Sequence, residues 1–218
     1  RMKRIVVFDL DGTLLNTIGD LTLSVNYALN SFGWPSHSPD DYKRFAGNGV
    51  NKLLERAIPQ EEKNETNLLK LRQKFIEHYE KHAVDETEPF PGIPSLLDSL
   101  QELGIMIAVA SNKYHKATVK VIKHFFPSIN FVAIYGAREE VPMKPNPQVV
   151  FDILEKANIY DKSEVLYVGD SGVDMQTAVN AGVEACGITW GFRSRSELEE
   201  HNPLYIVDKA EEILNIVK

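Results

Sequence analysis

Ile5, Val6, Val7 and Phe8 run straight into Asp9-Leu10-Asp11-Gly12-Thr13, and these two aspartates are the residues of the chain best placed to do chemistry. In extended backbone, positions i and i+2 face the same way, so Asp9 and Asp11 converge on one small volume. Carboxylates brought that close repel each other unless a cation or a shared proton intervenes, and Mg²⁺ is the cation that prefers carboxylate and phosphate oxygens. The apolar, mostly β-branched run predicts a strand buried on both faces of a parallel sheet. Its end at a carboxylate marks the carboxyl edge, where open α/β sheets carry their ligands. Gly12 permits a turn there that residues with a Cβ resist. Taken alone, the segment also reads as a strand followed by an Asp-rich turn.

Three more polar clusters follow apolar runs. Ser111-Asn112-Lys113 comes after 105–110 and supplies a hydroxyl and an amide. Met143-Lys144-Pro145-Asn146-Pro147 comes after 131–135 and sets a lysine just before a helix that Asn146 can cap and Pro147 can start. Gly169-Asp170-Ser171-Gly172-Val173-Asp174 comes after 165–168 and adds two carboxylates. Each has a plain structural reading on its own: a turn hydroxyl for Ser111, a solvated charge for Lys144, a first-turn acid for Asp174. Together they put the groups that phosphoryl transfer requires at one strand edge after another.

These residues must be held by something, and the hydrophobic pattern shows what. Apolar runs at 185–188 and 205–207 complete the candidate strands, and helical stripes lie between runs: Ile93, Leu96, Leu97 and Leu100, then Val150, Ile153, Leu154 and Ala157. Strands alternating with single helices predict an α/β fold, a doubly wound, Rossmann-like parallel sheet. Residues 15–87 break the rhythm with three successive helical faces: Ile18 to Phe32, Val50 to Ile58 and Leu68 to Tyr79. They read as a small helical cap inserted into a core of residues 1–14 and 88–218. A capping box from Thr17 to Asp20 and the Ser38-Pro39 pair mark helix starts inside it, and the acidic, proline-punctuated stretch 85–92 marks the return, so that two linkers cross at a natural hinge.

Composition narrows the partners. A chain of 218 residues, 43% hydrophobic and 25% charged, suits a globular α/β domain with such an insert, and a net charge of −7 without a basic stripe argues against nucleic acid. No run approaches the roughly 20 apolar residues of a membrane span, and the short N-terminal run that ends in acid does not read as a signal peptide. Cys186 is the single cysteine, so no internal disulfide forms, and a cytoplasmic location is expected. The pattern leaves monomer or homodimer open. His78 and His82 lie four apart without an evident third ligand. Arg193 and Arg195 can reach an anion, but Ser194 and Ser196 with Glu197 and Glu199 favour a helix start.

At full length the chain resembles the haloacid dehalogenase superfamily, through Asp9-Leu10-Asp11-Gly12-Thr13, Ser111, Lys144, and Gly169-Asp170-Ser171 with Asp174. The resemblance implies a Mg²⁺-dependent phosphatase acting on a small phosphorylated metabolite. Asp9 is then the nucleophile that becomes an aspartyl phosphate, Asp11 the general acid and base, and Ser111 and Lys144 the remaining catalytic groups. Asp9, Asp11 and Asp170 hold the metal with Asp174 beside them, and Gly12, Thr13, Ser111 and Asn112 bind substrate. Arg44 to Gly49 and Thr189-Trp190-Gly191-Phe192 resemble the phosphoglycolate phosphatase branch, with Gly47, Asn48 and Gly49 implied as the specificity loop; Asn16 departs from the aspartate common there. Sugar phosphomutases, nucleotidases and pyrophosphatases share this core, and a non-catalytic regulatory module is the remote alternative.

Overall fold

The structure, a computed structural model, describes residues 2–218. Strand β1 (Ile5–Phe8) is buried along its whole length. Val6 and Phe8 enter one hydrophobic cluster while Ile5 and Val7 enter another on the opposite face, as the two-residue period requires of a strand covered on both sides. Each such side chain contributes about 1.5–3 kcal/mol by leaving water.

A two-residue strand, β2 (Leu15–Asn16), leads into helices α1 (Ile18–Ser31), α2 (Pro39–Phe45), α3 (Val50–Ala57) and α4 (Glu65–His82). The chain returns through β3 (Glu88–Pro89), which pairs antiparallel with β2. Then follow α5 (Ile93–Glu102), β4 (Met106–Tyr114), α6 (His115–Phe125), β5 (Phe131–Ala137), α7 (Gln148–Ala157), β6 (Val165–Gly169), α8 (Gly172–Ala181), β7 (Glu184–Ile188), α9 (Arg195–Glu199), β8 (Tyr205–Val207) and α10 (Glu212–Val217). Six strands form one parallel sheet in the order β5-β4-β1-β6-β7-β8, so the fold is the doubly wound α/β sheet of the sequence reading. From β1 the connections wind out to β4 on one side and to β6 on the other. That switch point puts the crevice at the carboxyl end of β1, immediately before Asp9.

Two local expectations change. Thr17 and Asp20 form no capping box: the Thr17 hydroxyl donates to Asp11 Oδ1 at 2.6 Å, and α1 begins without a side-chain cap. Asp20 reaches across to the returning linker and accepts from the Glu86 and Thr87 amides at 3.0 and 2.9 Å and from the Thr87 hydroxyl at 2.7 Å. The acid read as a helix cap therefore ties the chain entering the four helices to the chain leaving them. Strand β4 also runs beyond its apolar stretch through Ser111, Asn112 and Lys113, with a register shift against β5 between Ala110 and Tyr114. Ser38 behaves as expected, completing a capping box with Asp41 ahead of Pro39.

Candidate active site

The carboxyl edges of β1, β4 and β6 and the loop after β5 meet in a cavity of about 60 Å³. Asp9, Asp11, Ser111, Asn112, Lys144, Asp170 and Asp174 all line it. At its base is the Lys144 ammonium, 3% exposed, which donates to Asp9 Oδ1 at 3.0 Å, Asp174 Oδ1 at 2.8 Å, the Ala110 carbonyl at 2.8 Å and the Tyr167 hydroxyl at 3.0 Å. Burial disfavours that charge, but Asp174 and Asp9 outweigh burial and hold Lys144 well above the ordinary lysine range.

Asp174 is saturated. One of its oxygens accepts from Lys144 and Tyr167, the other from the Asp170 amide and the Ser171 hydroxyl, and these donors outweigh burial to keep its carboxyl below the usual range. Asp9 and Asp170 sit in the opposite situation. Burial and the negative charge of Asp174 push Asp9 well above an ordinary carboxylate and push Asp170 up to about 7. Ligand oxygens of Asp9, Asp170 and Asp174 lie within 4.8 Å of one another. With Asp174 saturated, the two raised carboxylates, Asp9 and Asp170, are the pair whose mutual repulsion a hard divalent cation would relieve.

Close backbone packing sets this geometry. Gly12 has φ +82°, and a Cβ there would meet Asp170 Oδ2 at 2.2 Å, so neither the conformation nor the space admits another residue. Gly12 and Thr13 do not line the cavity, contrary to their reading as substrate-binding residues. They brace it from behind: the Thr13 hydroxyl lies 3.4 Å from Asp170 Oδ1, and the Thr13 carbonyl accepts from Trp190 Nε1 at 3.0 Å. The Phe192 amide donates to Asp170 Oδ2 at 2.9 Å.

The other wall comes from α1, α3, α4 and the loop that precedes α3. Gly47 and Gly49 line the cavity, whereas Asn48 does not: its side-chain oxygen accepts from Arg56 at 2.9 Å. Two core side chains hold this loop. Asn112 donates to the Gly47 carbonyl at 3.1 Å, and Arg193 donates to the carbonyls of Ala46 at 2.7 Å and Arg44 at 3.1 Å. Leu21, Val50, Leu53, Phe75 and Tyr79 complete the apolar side.

The family pattern described as haloacid dehalogenase-like hydrolase matches residues 6–188. The chain belongs to the haloacid dehalogenase-like hydrolases. It is similar to the phosphoglycolate phosphatase of Pasteurella multocida, with 30% identity over 99% of this chain and 98% of that protein, and to that of Vibrio parahaemolyticus, with 29% identity over 98% and 96%. Among solved structures, a predicted phosphoglycolate phosphatase from Haemophilus somnus superposes with a TM-score of 0.91 at 29% identity, covering 99% of this chain and 98% of that one. A predicted phosphatase from Clostridium acetobutylicum superposes with a TM-score of 0.86 at 25% identity, covering 100% and 99%.

Three residues of this hydrolase's site carry no sequence signal that assigns them a role there. Lys113 donates to Asp11 Oδ1 at 2.9 Å and stands 4.7 Å from the centre of the Tyr79 ring. Tyr167 reads in the sequence as part of an apolar strand; a tyrosine in a doubly buried strand needs a hydroxyl partner, which is the one signal it offers, and the structure supplies Lys144 and Asp174. Arg193 reads in the sequence as part of a helix start. Ser194 does cap α9, but Arg193 turns to the cavity, while Arg195 pairs with Glu199 and Asp208. His78 bonds Ser24 and His82 bonds Asp85, so neither joins a candidate metal cluster among the described residues. Asn146 accepts from the Gln148 amide as a cap would, and α7 starts one residue after Pro147. Among the described residues no helix is long and apolar enough to cross a membrane.

Proposed function

We propose that this hydrolase is a Mg²⁺-dependent phosphatase of a small phosphorylated metabolite, with 2-phosphoglycolate the leading substrate and an aspartyl phosphate on Asp9 the intermediate. The observation that carries the reading is the junction of Lys144, Asp9, Asp170 and Asp174 at the carboxyl edge of the sheet, with Asp11 two residues beyond Asp9. The similarity to phosphoglycolate phosphatases over nearly their whole length supports the substrate.

In this reading Asp9 attacks phosphorus, and the leaving alkoxide takes a proton from Asp11. Water then attacks the aspartyl phosphate and passes a proton to Asp11, which frees phosphate and restores Asp9. Splitting the displacement in this way replaces one difficult step with two easier ones, and proton transfer by Asp11 contributes about 10²–10⁴-fold. Lys144 sets the position of Asp9, and the Ser111 hydroxyl and neighbouring amides hold the phosphoryl oxygens. The carboxylates of Asp9 and Asp170 with the Asp11 carbonyl would hold Mg²⁺, which offsets the phosphoryl charge facing the nucleophile. Asp174, with both oxygens occupied, positions Lys144 and the Asp170 amide instead of ligating.

Residues 15–87 act as a cap hinged at β2 and β3, which shuts water out while attack proceeds. The buried thiol of Cys186 accords with a reducing cytoplasm. The test is phosphate release from 2-phosphoglycolate, sugar phosphates, nucleotides and pyrophosphate, with and without Mg²⁺. The expected result is Mg²⁺-dependent turnover, fastest on 2-phosphoglycolate. Turnover that ignores Mg²⁺, or the return of phosphate to a sugar instead of water, overturns it.

A further inference from the structure

One corner of the cavity holds polar groups that the phosphoryl chemistry leaves unused. Tyr79, on α4, is fully buried and lines the cavity; the Lys113 ammonium, which can only donate, stands 4.7 Å from the centre of its ring, and its hydroxyl has no hydrogen-bond partner. A buried donor left unmade costs about 1–3 kcal/mol, so a hydroxyl in this position points to an acceptor that arrives with a ligand. Lys113, at the end of β4, bonds a single carboxylate oxygen, that of Asp11, and retains donor capacity toward the cavity. The other cations are committed. Lys144 spends its donors on four oxygens, and Arg193 is occupied by Glu197 and the carbonyls of Arg44 and Ala46. Around the corner stand Leu21, Val50, Leu53 and Phe75, which offer nothing to an anion.

We infer that Lys113 and Tyr79 form a leaving-group subsite, one residue from the core and one from the inserted helices, that binds a carboxylate on the alcohol portion of the substrate. The inference rests on the phosphatase reading and deepens it by assigning to these two residues the recognition of the carboxylate that the leading substrate, 2-phosphoglycolate, carries. Because Lys113 also pairs with Asp11, the carboxylate anchors beside the group assigned to protonate the leaving oxygen, which aligns the ester with its acid. Because Tyr79 belongs to α4, the subsite is complete only with the helices seated on the sheet.

The test is kcat/KM for 2-phosphoglycolate against ethyl phosphate, a similar-sized ester without the carboxylate, for the native protein and for Lys113→Met, Lys113→Arg and Tyr79→Phe. The native protein is expected to prefer the acid by about 10²-fold. Lys113→Met also unsettles Asp11 and slows both esters, but that loss cancels in the ratio; the preference should collapse, mainly through KM for the acid, and Lys113→Arg should restore part of it. Tyr79→Phe keeps the ring and should lower the preference about 3- to 10-fold. A native protein that hydrolyses both esters equally overturns the inference and leaves the phosphatase reading standing. So does an unchanged ratio in both Lys113→Met and Tyr79→Phe, which would confine Lys113 to orienting Asp11. A native protein that hydrolyses neither these esters nor p-nitrophenyl phosphate with Mg²⁺ overturns the phosphatase reading and this inference with it.

Discussion

The floor and the roof of the cavity are built by different rules. On the floor, Lys144 reaches three carboxyl-edge segments at once, and Asp174 takes four donors, so no member can move without leaving a buried charge or donor unpaired. The roof loop, residues 44–49, is held by its own carbonyls: Asn112 grips Gly47, and Arg193 grips Arg44 and Ala46. Such bonds are indifferent to the side chains of the loop and are easily exchanged for water. Under the function proposed above, the difference assigns a division of labour: a preorganised floor for the phosphoryl group common to all substrates and a lightly attached roof for what distinguishes them.

The largest effect belongs to the floor. Asp9→Asn should remove at least about 10⁴-fold of turnover, since an amide cannot serve as the nucleophile. The fold should survive by circular dichroism, because the substitution relieves repulsion from Asp174 and Asp170. Next comes Asp11→Asn, with kcat down by about 10²–10⁴-fold and substrate affinity changed much less. Equal damage to affinity and rate would make Asp11 a structural partner of Lys113 and Thr17.

Metal and pH sharpen the contrast without touching the roof. Burial and Asp174 raise Asp170 in the folded protein to about 7, far above its unfolded value, so its contribution to stability is complete below about pH 4 and is lost as pH rises through 7. Chelated protein should therefore melt at a lower temperature at pH 8 than at pH 5.5. Added Mg²⁺ should raise the melting temperature more at pH 8, because binding then displaces no proton. Asp170→Asn should flatten both dependences. A Mg²⁺ effect of equal size at both pH values would contradict the assignment of Asp170 as a ligand.

The smallest effect tests the roof. Gly47 and Gly49 have φ of +114° and +89°, and a Cβ at Gly49 would come within 2.9 Å of Met143 Sδ. Alanine or valine at these positions should shift the ranking of substrates several-fold while hydrolysis of p-nitrophenyl phosphate changes less. Proportional loss on every ester would instead assign the loop to general closure, and the comparison between floor and roof would fail.

The sequence displayed the floor more fully than the roof. Strands that alternate buried and functional segments advertise themselves, which is why Asp9, Asp11, Ser111, Lys144, Asp170 and Asp174 were all readable as edge residues and do line one cavity. What stayed hidden depends on contacts between distant segments. Asp20 looks like a cap until the linker 66 residues away is seen to donate to it, and Lys113 is an unremarkable lysine until the fold places it against Asp11 and Tyr79. Asn48 is the converse case: its neighbours reach the cavity, but Arg56 on α3 captures its side chain, and no local pattern discloses that. The two-residue pairing of β2 with β3 was equally illegible, because a pair so short carries no periodicity.

The central claim, that Asp9 carries the phosphoryl group, is tested most directly by rapid acid quench during turnover of phosphate-labelled substrate with Mg²⁺, followed by mapping of the labelled peptide. The account predicts a label confined to the peptide that contains Asp9, formed faster than phosphate is released and absent from Asp9→Asn. Turnover with no label on that peptide at any quench time, while the same peptide is recovered intact, would contradict it.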